Sequence, residues 1–385
     1  MARVLIGGDV CPTPGDVELF TAGDASTLFG DVVEEFDASD LVIVNLECPL
    51  VDKPSPIAKS GAHFGAPTAC VKALAEAGID VVSLANNHIL DHGEAGLQST
   101  LSVCQEAGLQ TVGAGENLSA ARSMLVVERQ GIRIGIISCA EHEFSIASKN
   151  SPGANPIDSI EYTRILRREA GNFDHLVVLL HAGKEHTPYP SPKLQNLARY
   201  MVEMGASAVV CQHSHYAGVY EHYQDGFISY GQGNLLFNPH PDRRPWLYDG
   251  YLVALELPKG SLPVVELIPH VQKGAEPGIR KLGKEDSDEC KAKLAEMSEG
   301  IANPDFVEKK WLELCRKNKR LYLSILRGQG RIMRNLNKRL GFNTLFYSEL
   351  ESLVLYNALH CESKHEELTT ILSDMIAEIR PRHGE

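Results

Sequence analysis

Between residues 2 and 272 the chain alternates two patterns. Short, nearly unbroken apolar runs ("RVLIGGD", "DLVIVNLE", "DVVSLANNH", "SMLVVERQGIRIGIIS", "HLVVLLHAG", "SAVVCQHSH", "GFISYGQGN") are separated by stretches with apolar residues every three or four positions ("STLFGDVVEEFDAS", "PTACVKALAEAG", "GEAGLQSTLSVCQEAG", "KLQNLARYMVEMG"). The first pattern predicts strands buried on both faces, because a strand with one wet face would alternate polar and apolar residues. The second predicts amphipathic helices, three of the four ending at glycine as a left-handed C-terminal cap requires. Strands alternating with helices of this length predict βαβ units and an α/β fold. A last strand, "PVVELIPHV", loosens into "KGAEPG" and places a domain boundary there. The expectation is an α/β domain over 1–275 and a helical region over 283–385, closing on the amphipathic "HEELTTILSDMIAEI".

Polar residues gather where the apolar runs stop. Asp9 follows the first run, Asn45 and Glu47 the second, Asn87 and His88 the third; His181 ends "VVLLH", and His213 and His215 end "VVCQHSH". Taken singly, each has an ordinary explanation: a turn residue, a solvated carboxylate, a helix N-cap, a core histidine. Those explanations do not predict that five strand ends all carry Asp, Glu, Asn or His. In open α/β sheets that edge is where ligands bind. Oxygen donors mixed with imidazole suit divalent Mn, Fe, Zn or Co. A carboxylate shared between two ions about 4 Å apart is the usual design of a two-metal hydrolytic site.

The series resembles the calcineurin-like metallophosphatase superfamily, and its wording resembles the CapA branch of capsule and poly-γ-glutamate synthesis proteins. The residues that carry the resemblance are Asn45-Leu46-Glu47, "ANNHILDHG" from Ala85 to Gly93, Gly113-Ala114-Gly115, His181 to Glu185, His213-Ser214-His215 and Gly233-Asn234. It implies a layered α/β domain of metallophosphatase type with a C-terminal helical extension. It also implies two divalent ions held by Asp9, Glu47, Asn87, His181, His213 and His215, with Glu47 bridging. His88 is then the catalytic histidine, and Asp91 either orients it or caps the next helix. The implied activity is phosphoester hydrolysis by a metal-activated water. The other reading is an accessory role in poly-γ-glutamate or capsule synthesis, acting on or binding an anionic polymer or a γ-glutamyl amide. Where the superfamily carries a histidine two residues after the first aspartate, this chain has Cys11, open to two readings: a thiolate ligand favouring zinc, or a bystander. Lys59, Lys184, Glu185 and Asn234 are expected near an anionic substrate, and His63, His92 and His186 are reserves for the rim.

Charge narrows the partners. A net charge of −13 argues against general nucleic-acid binding, which rests on neutralising phosphates. Nine scattered cysteines with no CxxC read as reduced thiols, and the N-terminus reads straight into a strand, so a cytoplasmic location is expected. No run reaches the roughly 18 apolar residues of a membrane span. The charge is uneven, however: residues 309–339 hold eleven Lys or Arg against the single acid Glu313. Apolar residues from Trp311 to Leu336 fall there at roughly helical spacing, and Gly328 and Gly330 are expected to interrupt the helix. Such a segment either packs as a bundle helix against the acidic remainder, the expectation adopted here, or makes a peripheral contact with an anionic polymer or membrane.

Overall fold

A computed structural model describes residues 1–59, 61–237, 249–272, 276–343 and 348–360, with Leu368, Leu372 and Ile376. Apart from those three positions, the expected helix over 365–379 lies outside the described residues. The chain divides into two compact units, Met1–Trp311 and Leu312–Glu385.

The first unit begins with β1 (Ala2–Cys11), β2 (Leu41–Leu46), β3 (Val81–Ser83) and β4 (Gln110–Val112), which lie side by side and parallel. A short ribbon strand, β5 (Ala114–Gly115), leads to the hairpin β6 (Leu125–Arg129) and β7 (Ile132–Ala140), and β8 (Gly153–Ala154) closes the ribbon. There follow β9 (His175–His181), β10 (Ala208–Gln212), β11 (Tyr220–Tyr223) and β12 (Gly226–Ser229). The chain then returns as β13 (Asn234–Phe237), β14 (Asp249–Leu257), β15 (Val264–Gln272) and β16 (Ile279–Lys281). One sheet runs β16-β15-β14-β1-β2-β3-β4, with β13 also pairing β1; the other runs β11-β12-β10-β9-β7-β6.

The two sheets face one another. Ile6, Ile43 and Leu255 of the first interdigitate with Ile134, Val177 and Val210 of the second in one apolar layer. On the outer face of the first sheet lie α1 (Val17–Ala22), α2 (Ala25–Phe29), α3 (Val33–Asp37), α4 (Val71–Glu76) and α5 (Gly93–Glu106), through residues such as Phe20, Leu28, Phe36 and Leu97. After the short α6 (Leu118–Ala121), α7 (Ser159–Arg168) and α8 (Pro192–Glu203) cover the second sheet with Tyr162, Ile165, Ala198 and Met201. The order helix, sheet, sheet, helix explains the unbroken apolar runs. Leu5 points outward to helices and Ile6 inward to the other sheet, and both positions are dry. Sequence periodicity cannot distinguish burial under a helix from burial under a second sheet, so the runs did not announce that there were two.

Local departures have local causes. The helix expected over 26–39 is broken by Gly30, at φ 53, into α2, a 3-10 turn and α3. The run from Ser123 to Ser138 is two antiparallel strands, because Gln130 (φ 51) and Gly131 (φ 71) form a tight turn whose twist matches a hairpin. Beyond the sheets, α9 (Lys284–Ser298) packs on β15 and β11 and buries Leu294 among the inter-sheet residues, so it belongs to the first unit.

The second unit begins within α10 (Pro304–Leu326) and continues through α11 (Arg331–Leu340) and α12 (Glu349–His360). The break between α10 and α11 contains Gly328, at φ 63, and Gly330, where an interruption was expected. Within 312–343 the buried side chains are polar: Ser324, Asn337 and Asn343. Asn337 Nδ2 donates to Arg320 O at 2.8 Å and to Ser324 Oγ at 2.7 Å, and Asn343 Nδ2 donates to Ser324 Oγ at 3.1 Å. Among the described residues, no helix is long and apolar enough to cross a membrane.

Candidate metal centre

The C-terminal ends of β1, β2, β7, β9 and β10, with the loop after β3, converge. Asp9 lies at the end of β1, where the register to β2 shifts, and is fully buried. Its Oδ1 accepts from Asn45 Nδ2 at 2.7 Å and its Oδ2 from the backbone N–H of His213 at 3.1 Å. His215 Nδ1 lies 3.5 Å from Asp9 Oδ2, and His181 Nδ1 lies 4.0 Å from Asp9 Oδ1. Glu47, just beyond β2, is also fully buried, and its Oε1 lies 3.3 Å from His181 Nε2 and 3.9 Å from His215 Nε2. Neither Glu47 oxygen makes a hydrogen bond. Two groups of donor atoms, each within 4.8 Å of one another, result: Glu47, His181 and His213 in one; Asp9, Glu47 and His215 in the other. Glu47 is common to both.

Asn87 Oδ1 lies 3.0 Å from His181 Nε2, and its Nδ2 donates to Glu143 Oε2 at 3.3 Å. The turn that carries it is pinned by Ser145, whose hydroxyl donates to Asn87 O at 2.7 Å and accepts from the Leu90 N–H at 3.2 Å. His88 Nδ1 is 2.7 Å from Asp91 Oδ2, with Phe64 edge-on at 4.4 Å between ring centres. Asp91 also forms an ion pair with Lys59 and accepts from the Phe64 N–H at 2.7 Å. It therefore orients His88; α5 starts at Gly93 without a side-chain cap. With Nδ1–H bonded to a carboxylate, the remaining ring nitrogen, Nε2, is the one left for chemistry.

The electrostatics follow from burial. Burial pushes Glu47 well above the usual carboxylate range, and the charge of Asp9 adds to the effect. Burial brings His181 down to about 4 and His213 well below its ordinary value, so both are neutral imidazoles with a lone pair to offer. His215 is half-buried, and its desolvation alone would lower it, but Glu47 and Asp9 raise it overall. For Asp91, burial pulls upward, while the His88 hydrogen bond and charge, Lys59 and the Phe64 N–H hold it below its ordinary value. Two buried carboxylates, one without any hydrogen bond, form a site that is incomplete without positive charge.

Some expectations change. His213 and His215 lie in the loop beyond β10, which ends at Gln212, and both residues are left-handed, at φ 84 and φ 50. Non-glycine residues rarely occupy that region. The loop rather than strand alternation aims the rings, 6.2 Å apart, at different donor groups. Cys11 is not brought in. Its thiol lies 1% exposed in the helix-side core, burial and the neighbouring Cys48 push its pKa well up, and it joins no donor group among the described residues. An uncharged thiol in an apolar core is inert. The eight described cysteines form no disulfide with one another; Cys361 lies outside the described residues.

Lys59 is not an open cation. Its side chain is 3% exposed, paired with Asp91 and 3.2 Å from His88 Nδ1. Asn234 accepts from or donates to protein groups on both sides, with Oδ1 2.8 Å from His215 Nδ1 and Nδ2 3.3 Å from Phe237 O. It stands opposite Asp9 because β13 runs against β1; a Cβ at Gly8 would lie 2.2 Å from Gly233 O, so only glycine lets the strands approach there. Lys184 is half-buried, while Glu185 is exposed and 3.8 Å from His186. His92 Nδ1 accepts from the Ser55 N–H at 2.9 Å, and His63 Nε2 lies 2.6 Å from Ile57 O, so both brace loops.

The sequence reading named Asn45 and the Asn86-containing motif without giving either residue a role, and it passed over Glu141 and Glu143. Asn86 Nδ2 donates to Asn45 Oδ1 at 3.2 Å, and Asn45 in turn holds Asp9. Glu141 and Glu143 form a third donor group with His213, and Glu141 Oε1 lies 3.5 Å from His213 Nε2. The signal was a sixth apolar run, "GIRIGIISC", ending in "AEHEF".

The layered sheets and the strand-end cluster of carboxylates, amides and histidines define an α/β protein with a candidate metal centre. The family described as Bacterial capsule synthesis protein PGA_cap matches residues 3–239, and the chain belongs to it. It is 32% identical over 247 residues to Capsule biosynthesis protein CapA of Bacillus anthracis, covering 62% of this chain and 59% of that protein. It is 31% identical over 250 residues to PGA biosynthesis protein CapA of Bacillus subtilis (strain 168), covering 64% and 65%. The match thus spans less than two thirds of either relative's length. Among solved structures, a novel phosphatase of Mycoplasma pneumoniae aligns with TM-score 0.45 and 14% identity over 70% of this chain and 92% of that one.

Proposed function

We propose that the chain is a metal-dependent hydrolase acting on a phosphoester of an anionic substrate, with two divalent ions, of Mn, Fe, Zn or Co type, as cofactors. The observation that carries this is Glu47: a fully buried carboxylate with no hydrogen bond, common to two groups of donor atoms. In this reading Asp9, Glu47, Asn87, His181, His213 and His215 hold the ions, with Glu141 and Glu143 beside them. The ions, when bound, would supply Lewis acidity that stabilises charge on phosphoryl oxygens and lowers the pKa of a water. Asn45 fixes the Asp9 carboxylate, and Asn234 fixes the His215 ring. His88, its Nδ1–H held by Asp91, would deliver a proton from Nε2 to the leaving oxygen. Lys59 holds the pair from behind, and among the described residues Lys184, whose charge acts on His213 and Glu141, is a cation at the rim for an incoming anion.

A second reading is favoured by the relatives' names, which speak of capsule and PGA biosynthesis. There the same site serves an accessory step in making an anionic polymer, cleaving or holding a γ-glutamyl amide. Metal analysis of protein purified without chelator, followed by hydrolysis assays on phosphomonoesters, phosphodiesters and γ-glutamyl amides, separates the two. The expected result is close to two ions per chain and turnover of a phosphoester that chelator abolishes. Metal-loaded protein that cleaves only the γ-glutamyl amide would establish the second reading; protein that takes up no divalent ion would overturn both.

A further inference from the structure

The hairpin of residues 312–343 is built the wrong way round for a helix pair that stands alone in water. Its fully buried side chains are the polar knot of Ser324, Asn337 and Asn343; Leu314, Leu321, Leu323 and Phe342 are half-buried, and Ile325, Leu326, Ile332, Met333, Leu336 and Leu340 are exposed. On α11, Ile332 is 84% exposed, Leu336 43% and Leu340 68%. These three lie four residues apart and form one stripe, with Met333 beside it. Arg331, Arg334 and Lys338 occupy the rest of the helix circumference, and on α10 Ile325 and Leu326 are likewise exposed. Between the two helices, Arg316, Lys317, Arg320 and Lys338 line a cleft of about 350 Å³.

We infer that this hairpin docks on an anionic lipid surface, with the Ile332–Leu336–Leu340 stripe entering the acyl boundary and the basic cleft taking headgroup phosphates. Charge selects this occupant. Residues 312–343 hold nine Lys or Arg against Glu313 alone, and Lys317, Lys319, Arg331, Arg334 and Lys338 pair with no acid among the described residues. A second copy would bring the same positive charge to the same apolar stripe, which repulsion disfavours. A lipid surface supplies negative charge and apolar depth at the same spacing. This rests on none of the residues proposed to hold metal.

The test is co-sedimentation of the full-length chain with vesicles of pure phosphatidylcholine and of phosphatidylcholine with 30% phosphatidylglycerol, a composition of about that order being enough to charge the surface. The expected result is binding to the charged vesicles alone, weakened as salt rises through the range where the Debye length shortens from about 10 Å to 3 Å. Lys317→Glu with Lys338→Glu should lower partitioning by at least about 20-fold, since each basic residue near such a surface contributes about five-fold. Ile332→Ser with Leu336→Ser should lower it by about 10-fold or more, while binding to a soluble polyanion, heparin, is unchanged. Ile332 is 84% and Leu336 43% exposed, so the substitution removes little packed contact, and unchanged circular dichroism with an unchanged melting temperature shows that the chain is folded. Equal binding to neutral and charged vesicles overturns the inference. Binding to heparin but to no vesicle overturns it in favour of a polymer, and a concentration-dependent dimer that Ile332→Ser disperses overturns it in favour of a second copy.

Discussion

Replacing Glu47 by Gln should make the metal-free protein more stable and the metal-supplied protein no better off. In the free state the Glu47 carboxylate is buried, lacks any hydrogen bond, and faces Asp9 across the site. An unsatisfied buried polar group costs about 1–3 kcal/mol, more when charged. The amide is nearly isosteric and uncharged, so it relieves the charged part of that cost. For a unit of this size, 1–3 kcal/mol corresponds to a rise in Tm of about 2–5 °C. Ions at a thousand times Kd stabilise a protein that binds them by about 4 kcal/mol, a rise of roughly 6 °C. Differential scanning calorimetry of both proteins, in chelator and in excess Mn, therefore gives a crossed pattern. In chelator the variant melts above wild type; in Mn only wild type moves. A Glu47→Gln variant that melts lower in chelator would show that the carboxylate is satisfied in the free protein. One that gains the full metal-induced rise would remove Glu47 from the metal site.

Three other outcomes follow from the geometry. His88→Ala should keep its metal content by elemental analysis and lose turnover by about 100-fold or more, because a general acid acts in the transition state without holding the ion; Asp9→Ala and His215→Ala should lose metal as well. Asp91→Ala leaves the Lys59 ammonium buried without its partner, which costs about 3–5 kcal/mol in chemical denaturation, and adding Lys59→Met should restore most of that stability but not turnover, since His88 stays unoriented. Asp174, whose pKa the hydrogen bonds of Arg133 hold at about 2, ties the starts of β7 and β9 together through the Arg133 backbone and side chain. Its folded pKa is depressed, so its contribution is present above the unfolded value near 3.9 and is lost as pH falls towards 2. Asp174→Asn should be less stable than wild type from pH 5 to 7, with the two melting curves converging below about pH 2.

What the sequence disclosed was residue type and position, and that was enough for the cluster because strand ends are fixed by hydrophobic pattern. Asp9, Glu47, Asn87, His181, His213 and His215 come together because β1, β2, β9 and β10 stop together and the β3 turn closes over them. What it could not disclose was pairing. Lys59 reads as a free cation thirty residues from anything acidic that matters, and only the fold brings Asp91 to it. Cys11 shares the strand of Asp9, yet β1 is irregular against β13 between Asp9 and Val10, and the Cys11 thiol lies in the apolar core beside Cys48. The basic C-terminal stretch carried the same ambiguity in a different form. Its apolar spacing predicts a buried face, and α11 is indeed amphipathic, but a pair of asparagines and a serine occupy the hairpin interior and turn the apolar stripe outward. Amphipathicity states that a helix has an apolar side; it takes the partner across the contact to say whether protein or another phase covers it. For the metal cluster the missing partner is a charge, and for the hairpin it is an apolar surface with a negative rim. Both are visible in the same way, as side chains whose chemistry their described neighbours within the same unit leave unanswered.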